Sequence, residues 1–488
     1  MSRSSGILLH ISSLYSNHGI GTLGLPAYDF ASFLHKSGQH YWQMLPIGPT
    51  GFGDSPYMSY SSFAGNPYFI DLDTLAYQGY LTYDEINACH FGDVPDQVDF
   101  SALHAQRIPL LHKAFNRIKP ETEKELDQFI EEEADWLNDY CLYMSLREDQ
   151  GTVPWYQWAH PYKMREPAAL EEAKIRLRSQ IRFHAFLQML FYQQWSQLRY
   201  YLKELNIRLI GDLPIYVPLD SADVWANPQI FQLDEKEHRP EAVSGVPPDY
   251  FSEEGQLWGH PLYDWEALKK SGYTWWIRRI RHQSRLFDAT RIDHFRALES
   301  YWRVPFGEET AKKGKWVKGP GIEFINRINE EFPDFEIIAE DLGILTEEVH
   351  ALRKASGWPG MAVLEFAFTR GADSVYLPHN HIRDMVLYIG THDNMTAVQW
   401  LEQNNDDVNY MQEYLGGRNV DTLMRAGMQS VANLFVSTMQ DWLQLGAWAR
   451  MNEPGTIDIN WKWRMRQGAL TDELANHIRY LTALYNRI

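Results

Sequence analysis

The stretch Ala289-Thr290-Arg291-Ile292-Asp293-His294-Phe295-Arg296 starts apolar and ends in charge. A short apolar run followed at once by polar residues reads as a buried strand that delivers its last side chains to the mouth of a sheet. Similar runs occupy residues 6–12, 41–47, 208–217, 336–341, 361–368 and 385–393. Three of them carry Gly211-Asp212-Leu213-Pro214, Ala339-Glu340-Asp341-Leu342-Gly343 and Gly390-Thr391-His392-Asp393-Asn394 at or near their ends. Helical patterns fall between several runs. In residues 184–205, Leu187, Phe191, Trp195, Leu198, Leu202 and Leu205 recur every three or four positions as one apolar stripe. Strands alternating with helices predict a parallel sheet. Seven or eight of them in a chain of this length predict an α/β fold, a (β/α)8 TIM barrel, whose chemistry sits at the C-terminal strand ends where these acids fall.

The expected organisation is one barrel over residues 1–488 with two insertions in its βα loops. Residues 51–205, after the second strand, are helical and include the charged stretch 121–133. Residues 218–272, after the third, are rich in Gly, Pro and aromatics. Within them, residues 244–265 carry Gly245, Tyr250, Phe251, Gly255 and Trp258. That segment reads either as a lid that stacks its aromatics on a ligand and limits water, or as a static surface insertion.

Composition removes several function classes. Acidic residues number 64 against 45 basic ones, a net charge of −19, which repels phosphate backbones and anionic lipid. Cys89 and Cys141 form no CxxC pair, disulfide framework or thiolate metal site. No apolar run resembles a signal peptide or a membrane span, so a reducing cytoplasmic setting is expected. The Gly19-Ile20-Gly21-Thr22-Leu23-Gly24 stretch matches a dinucleotide fingerprint, yet no acid occurs from 30 to 53 to hold a ribose. Residues 48–55 match P-loop spacing, but Asp54 stands where the lysine belongs. His379-Asn380-His381 has no supporting cluster for a metal. Neither a metal nor an organic cofactor is expected. Aromatics make up 14% of the chain, and their faces suit sugar stacking as well as core packing.

Acids converging on one barrel mouth repel one another unless they are paired, hydrogen-bonded or partly protonated. That is how enzymes set one carboxyl as acid and another as base. Cleaving a glycosidic bond with retention takes two carboxyls about 5–5.5 Å apart, a spacing that adjacent barrel strands can supply. Asp293 suits the nucleophile, because Arg291 two residues earlier lies on the same side of the strand. Glu340 suits the acid/base, with a longer arm toward the glycosidic oxygen. Asp341 points the other way, and its reading stays open between structural hydrogen bonding and binding.

These strand ends resemble the four signature regions of the α-amylase clan, and the resemblance narrows to glycoside hydrolase family 77. It runs nearly end to end. It covers Ser5-Gly6-Ile7-Leu8-Leu9-His10, Gly53-Asp54-Ser55-Pro56-Tyr57 and Phe63-Ala64-Gly65-Asn66-Pro67-Tyr68. It continues through Gly245-Val246-Pro247-Pro248-Asp249-Tyr250-Phe251 and Gln256-Leu257-Trp258-Gly259-His260-Pro261. It ends with Arg450-Met451-Asn452-Glu453-Pro454-Gly455-Thr456 and Asn460-Trp461. The resemblance implies Asp293 as nucleophile, Glu340 as acid/base and Asp393 as a third acid holding the distorted sugar. It also implies Tyr57 as an aromatic platform, Arg291, His294, His392 and Asp212 as a hydrogen-bonding collar, and Trp258 and Asn460 as further glucan contacts.

The implied activity is transfer of α-1,4-glucan segments to the 4-hydroxyl of glucose or a maltooligosaccharide. A hydrolase of the same clan shares the chemistry up to the glycosyl-enzyme, and only the family resemblance favours transfer over it. A non-catalytic glucan-binding protein is the alternative of another class, against which the three intact acids stand.

Overall fold

The computed structural model describes residues 2–248, 253–343, 345–369 and 371–488. Eight parallel strands form its centre: β1 (Ser4–Leu8), β2 (Tyr41–Gln43), β3 (Arg208–Leu213), β4 (Ala289–Ile292), β5 (Glu336–Ala339), β6 (Gly360–Val363), β7 (Met385–Tyr388) and β8 (Leu434–Thr438). They pair in the order β6-β7-β8-β1-β2-β3-β4-β5. The Ala339 N–H donates to the Pro359 carbonyl at 2.9 Å across the remaining seam, between β5 and β6. The expected barrel is present.

Alternate strand residues point inward and outward. Leu8, Tyr41, Ile210, Ile338, Met361, Val386, Tyr388, Leu434 and Val436 belong to one cluster that fills the barrel interior. Neighbours such as Ile7, Trp42, Leu209, Ile292, Ile337 and Phe435 join the larger core. Burying each such side chain contributes about 1.5–3 kcal/mol. Within the barrel the Tyr388 hydroxyl donates to Gln43 Oε1 at 2.8 Å.

The segment between β2 and β3 is helical and ends in the 27-residue helix Arg178–Glu204. Leu187, Phe191, Trp195, Leu198 and Leu202 form its buried stripe. Its Gln188 side chain accepts from the Gly65 N–H at 2.8 Å and donates to the Gly65 carbonyl at 2.9 Å. A side chain at Gly65 would begin 2.1 Å from the Phe191 ring, so only glycine permits this approach.

The segment after β3 contains strands of its own. Ala242–Val246 and Gln256–Pro261 pair antiparallel, and Ser300–Pro305 and Lys315–Lys318 extend them into a four-stranded sheet. Half of that sheet comes from beyond β4, so no hairpin signal links the two halves in sequence.

Near the other end of the barrel, Arg487 is fully buried and donates to the carbonyls of Ser4 at 2.7 Å, Met428 at 2.7 Å, Ser430 at 2.9 Å and Ala432 at 3.0 Å. Burial, with Arg3 adding to it, pushes its pKa down to about 9. Among the described residues, no helix is long and apolar enough to cross a membrane.

Candidate active site

Strands β3, β4 and β5 bring their charged ends together. Asp212 lies across from Arg291 in the β3–β4 register, Asp293 follows β4, and Glu340 follows β5. Arg291 is the hub. Its Nη1 donates to both Asp212 oxygens at 2.9 Å and lies 2.9 Å from Asp293 Oδ1. Burial works against the guanidinium charge, but Asp212 and Asp293 outweigh it and hold Arg291 protonated. The two-residue spacing puts Arg291 and Asp293 in contact, as the sequence predicted.

Glu340 accepts from two backbone N–H groups, His294 to Oε2 at 2.7 Å and Leu342 to Oε1 at 3.0 Å. Burial drives its pKa up and Asp293 adds to that; Arg291 and the two N–H groups oppose, and the result is about 7. A carboxyl poised near neutrality can give a proton and take it back. His294 reaches this position with φ at 55°, a left-handed conformation that costs of order 1 kcal/mol in a residue other than glycine. Burial lowers its imidazole pKa to about 4, so the ring is neutral at pH 7.

Tyr57 arrives from the loop after β2. Its hydroxyl donates to Asp212 Oδ2 at 2.8 Å, and its oxygen accepts from His392 Nε2 at 2.7 Å. The Tyr57 and His392 rings stack at 5.3 Å and 15°. Asp393, with its side chain 43% exposed, lies 3.3 Å from His392 Nε2. Its Oδ1 accepts from Asn452 Nδ2 at 2.6 Å, and its carbonyl accepts from Arg450 Nη2 at 3.0 Å. Trp258 stands edge-on to His294 at 4.8 Å and 86°.

Two expected site residues are engaged elsewhere. Asp341 Oδ1 accepts from the Met361 N–H at 2.7 Å, and Oδ2 lies 3.2 Å from Arg353 Nε. It therefore ties β5 to β6, because strand alternation turns it away from Glu340. Asn460 is 8% exposed; its oxygen accepts from the Glu453 N–H at 2.9 Å and its amide donates to the Thr456 carbonyl at 3.0 Å. It shapes its own loop. Tyr250 and Phe251 lie outside the described residues.

Sequence reasoning assigned no role to Arg450, Asn452, His10 or His260. The first two follow β8, the strand it did not mark. His10 ends the β1 region, where burial, then the charge of His392, lowers its pKa to about 3. Burial likewise pushes His260 down to about 4, against the opposing charge of Asp293. Among the described residues, no group of three or more His, Cys, Asp or Glu is arranged to hold a metal ion.

Comparison with known proteins agrees with this geometry. The glycoside hydrolase family 77 model, described as 4-alpha-glucanotransferase, matches residues 9–471. A 4-alpha-glucanotransferase from Clostridium butyricum is 44% identical over 98% of this chain and 100% of its own length. One from Thermus thermophilus is 45% identical over 100% and 99%. The solved amylomaltase from Streptococcus agalactiae in complex with acarbose superposes with a TM-score of 0.97 at 38% identity, covering 99% of each chain. With a family match across almost the whole sequence and barrel strands that deliver an arginine-paired aspartate beside a near-neutral glutamate, the chain belongs to glycoside hydrolase family 77, the 4-alpha-glucanotransferases.

Proposed function

We propose that the chain moves α-1,4-glucan segments by a retaining, double-displacement mechanism, with Asp293 as nucleophile, Glu340 as acid/base and Asp393 as the third acid. The observation that carries this is the unequal treatment of two carboxyls on adjacent strand ends. Asp293 is paired to a buried guanidinium, while Glu340 sits in an environment that raises its pKa to about 7.

In the first step the protonated Glu340 gives its proton to the leaving glycosidic oxygen as an Asp293 oxygen attacks the anomeric carbon. The C–O bond to the leaving sugar breaks and an Asp293 ester forms. In the second step Glu340, now a carboxylate, takes the proton of an acceptor 4-hydroxyl, whose oxygen displaces Asp293. Configuration is inverted twice and so retained. Asp393, held by Asn452, accepts hydrogen bonds from sugar hydroxyls that tighten as charge develops. Tyr57 supplies a stacking face fixed by Asp212 and His392. Trp258, with Tyr250 and Phe251, favours a sugar over water in the second step.

The substrates are maltooligosaccharides and longer α-1,4-glucans, with glucose as an acceptor, and the setting is the cytosol. The similar amylomaltase from Streptococcus agalactiae was solved in complex with acarbose, which supports a sugar ligand for this chain. Maltotriose tests the reading: the chain should produce glucose together with a ladder of longer maltooligosaccharides. Products no longer than the substrate, with reducing ends accumulating to completion, would identify a hydrolase.

A further inference from the structure

Beyond β8 the chain returns to the turn that carries His392 and Asp393, at Arg450-Met451-Asn452. This stretch is anchored on its own side. The Met451 side chain packs with Leu45 and Trp461, with Tyr57 against them, and the Met451 carbonyl accepts from the Trp461 N–H at 2.8 Å. Arg450 Nε donates to the Asn452 carbonyl at 2.9 Å, which closes the stretch on itself.

From this base it holds the turn at three points. The Asn452 N–H donates to the His392 carbonyl at 3.0 Å. Arg450 Nη2 donates to the Asp393 carbonyl at 3.0 Å. Asn452 Nδ2 donates to Asp393 Oδ1 at 2.6 Å. The turn is also tied within, because Asn394 Oδ1 accepts from the Thr391 N–H at 3.0 Å and the Thr391 hydroxyl at 2.9 Å. Four of these bonds fix backbone or turn and none of the four needs the Asn452 side chain. What they leave free is the rotation of the Asp393 carboxylate, a torsion that is broad in the absence of a partner.

The Asn452 amide restricts that rotation. An amide N–H to a carboxylate is a charge-assisted bond, stronger than one between neutral groups. The other donor near Oδ1 is His392 Nε2 at 3.3 Å, but its proton is directed at the Tyr57 oxygen at 2.7 Å. Among the described residues no protein group hydrogen-bonds Asp393 Oδ2. One oxygen is therefore spent on the protein, and the other is left for a ligand.

We propose that Asn452 is a positioning residue for the transfer reaction: by donating to Asp393 Oδ1 it sets the rotation of the carboxylate and presents Oδ2 to the sugar. This rests on the reading of Asp393 as the third acid.

The test compares Asn452→Ala, Asn452→Asp, Asp393→Ala and the Asn452/Asp393 double alanine variant on maltotriose, at pH 5 and pH 8. Asn452→Ala keeps the backbone bond to His392 and loses the amide. A misplacement of about 1 Å should cost about 100-fold in kcat, with KM nearly unchanged. Asn452→Asp has the same shape but donates only when it holds a proton. The charged and titratable groups around the pair are His392, Tyr57 and Arg450, the last bound to the Asn452 and Asp393 carbonyls. Two carboxylates in contact repel when both are ionised and share a proton when the pH falls. The kcat of Asn452→Asp relative to wild type should therefore rise at least about tenfold from pH 8 to pH 5. A purely structural role for Asn452 would not produce that recovery, and a misfolded variant would not show it. In the Asp393→Ala background, Asn452→Ala should cost nothing further, because it acts through Asp393 alone. The proposal is overturned if Asn452→Ala keeps wild-type kcat, if the Asn452→Asp ratio does not change with pH, or if the two alanine losses multiply. Asp393→Ala by itself should be inactive, and full activity there would instead remove the role of Asp393.

Discussion

Replacing Glu340 by glutamine probes the electrostatics of the site without asking it to turn over. Glu340 titrates at about 7 in the folded chain, against about 4.3 for an unperturbed glutamate. The folded value is raised, so the native state resists ionisation. Below about pH 4.3 both states hold the proton and no penalty exists. Between about 4.3 and 7 the unfolded chain releases it first, and stability falls as pH rises. Above about 7 the whole penalty of roughly 4 kcal/mol is in force. Glutamine removes it. Glutamine also turns an NH2 group toward one of the two N–H groups from His294 and Leu342, costing about 1–2 kcal/mol at every pH. The two contributions therefore separate by pH alone. At about 2.1 cal/mol/K per residue, 488 residues unfold with an entropy near 1 kcal/mol/K. The melting temperature of Glu340→Gln relative to wild type should rise by about 2–3 °C between pH 5 and pH 8. Calorimetry of both proteins at one scan rate measures it, since other titrating groups cancel in the difference. A difference that stays constant over that range, or shrinks, would refute the assignment of a raised pKa to Glu340.

Activity should follow the same titration, with kcat/KM falling above about pH 7 as the free enzyme loses the Glu340 proton; a limb that survives replacement of maltotriose by a substrate with a better leaving group would point to another residue. On an α-glucosyl fluoride, whose leaving group needs no proton, Glu340→Gln should accumulate a glucosyl adduct on the peptide containing Asp293. Asp293→Asn should accumulate none, and mass spectrometry finding the adduct on Glu340 or Asp393 would reverse the roles. Arg291→Lys should lower kcat by about 100-fold or more, because the shorter lysine does not place its ammonium where Nη1 reaches Asp212 and Asp293 together; near-normal turnover would show that the pairing is dispensable. Prolonged chelation should leave transfer intact, and loss of activity restored by calcium or zinc would expose a metal requirement.

Much of this was legible in sequence because barrel strands announce themselves twice, by an apolar run and by the residue that ends it. Asp212, Asp293 and Glu340 were locatable for that reason, and the two-residue spacing of Arg291 and Asp293 fixed their contact. β8 has the same apolar content, yet its run Leu434-Phe435-Val436-Ser437-Thr438 ends in hydroxyls, so nothing marked it as a site strand. Asn452 and Arg450 were missed with it. The four-stranded sheet was hidden because its halves are joined only in space, around β4. Asp341 and Asn460 are polar residues in the right motifs whose side chains hold neighbouring structure, Asp341 through the Met361 N–H and Arg353 and Asn460 through its own loop, and those partners are set by packing that sequence spacing does not show.

The arginine beneath the barrel has a consequence for how the chain is made. Arg487 bonds to Ser4 across 483 positions, and Ser4 pairs with Leu434 in the same strand register. On the ribosome, β1 emerges long before its partner β8. At roughly 5–20 residues per second, β1 waits on the order of half a minute or more with one edge unpaired. That edge is a template for any extended segment that passes. The nascent chain is therefore most exposed to misassembly, and to the attention of chaperones, until the residues that close the barrel leave the exit tunnel.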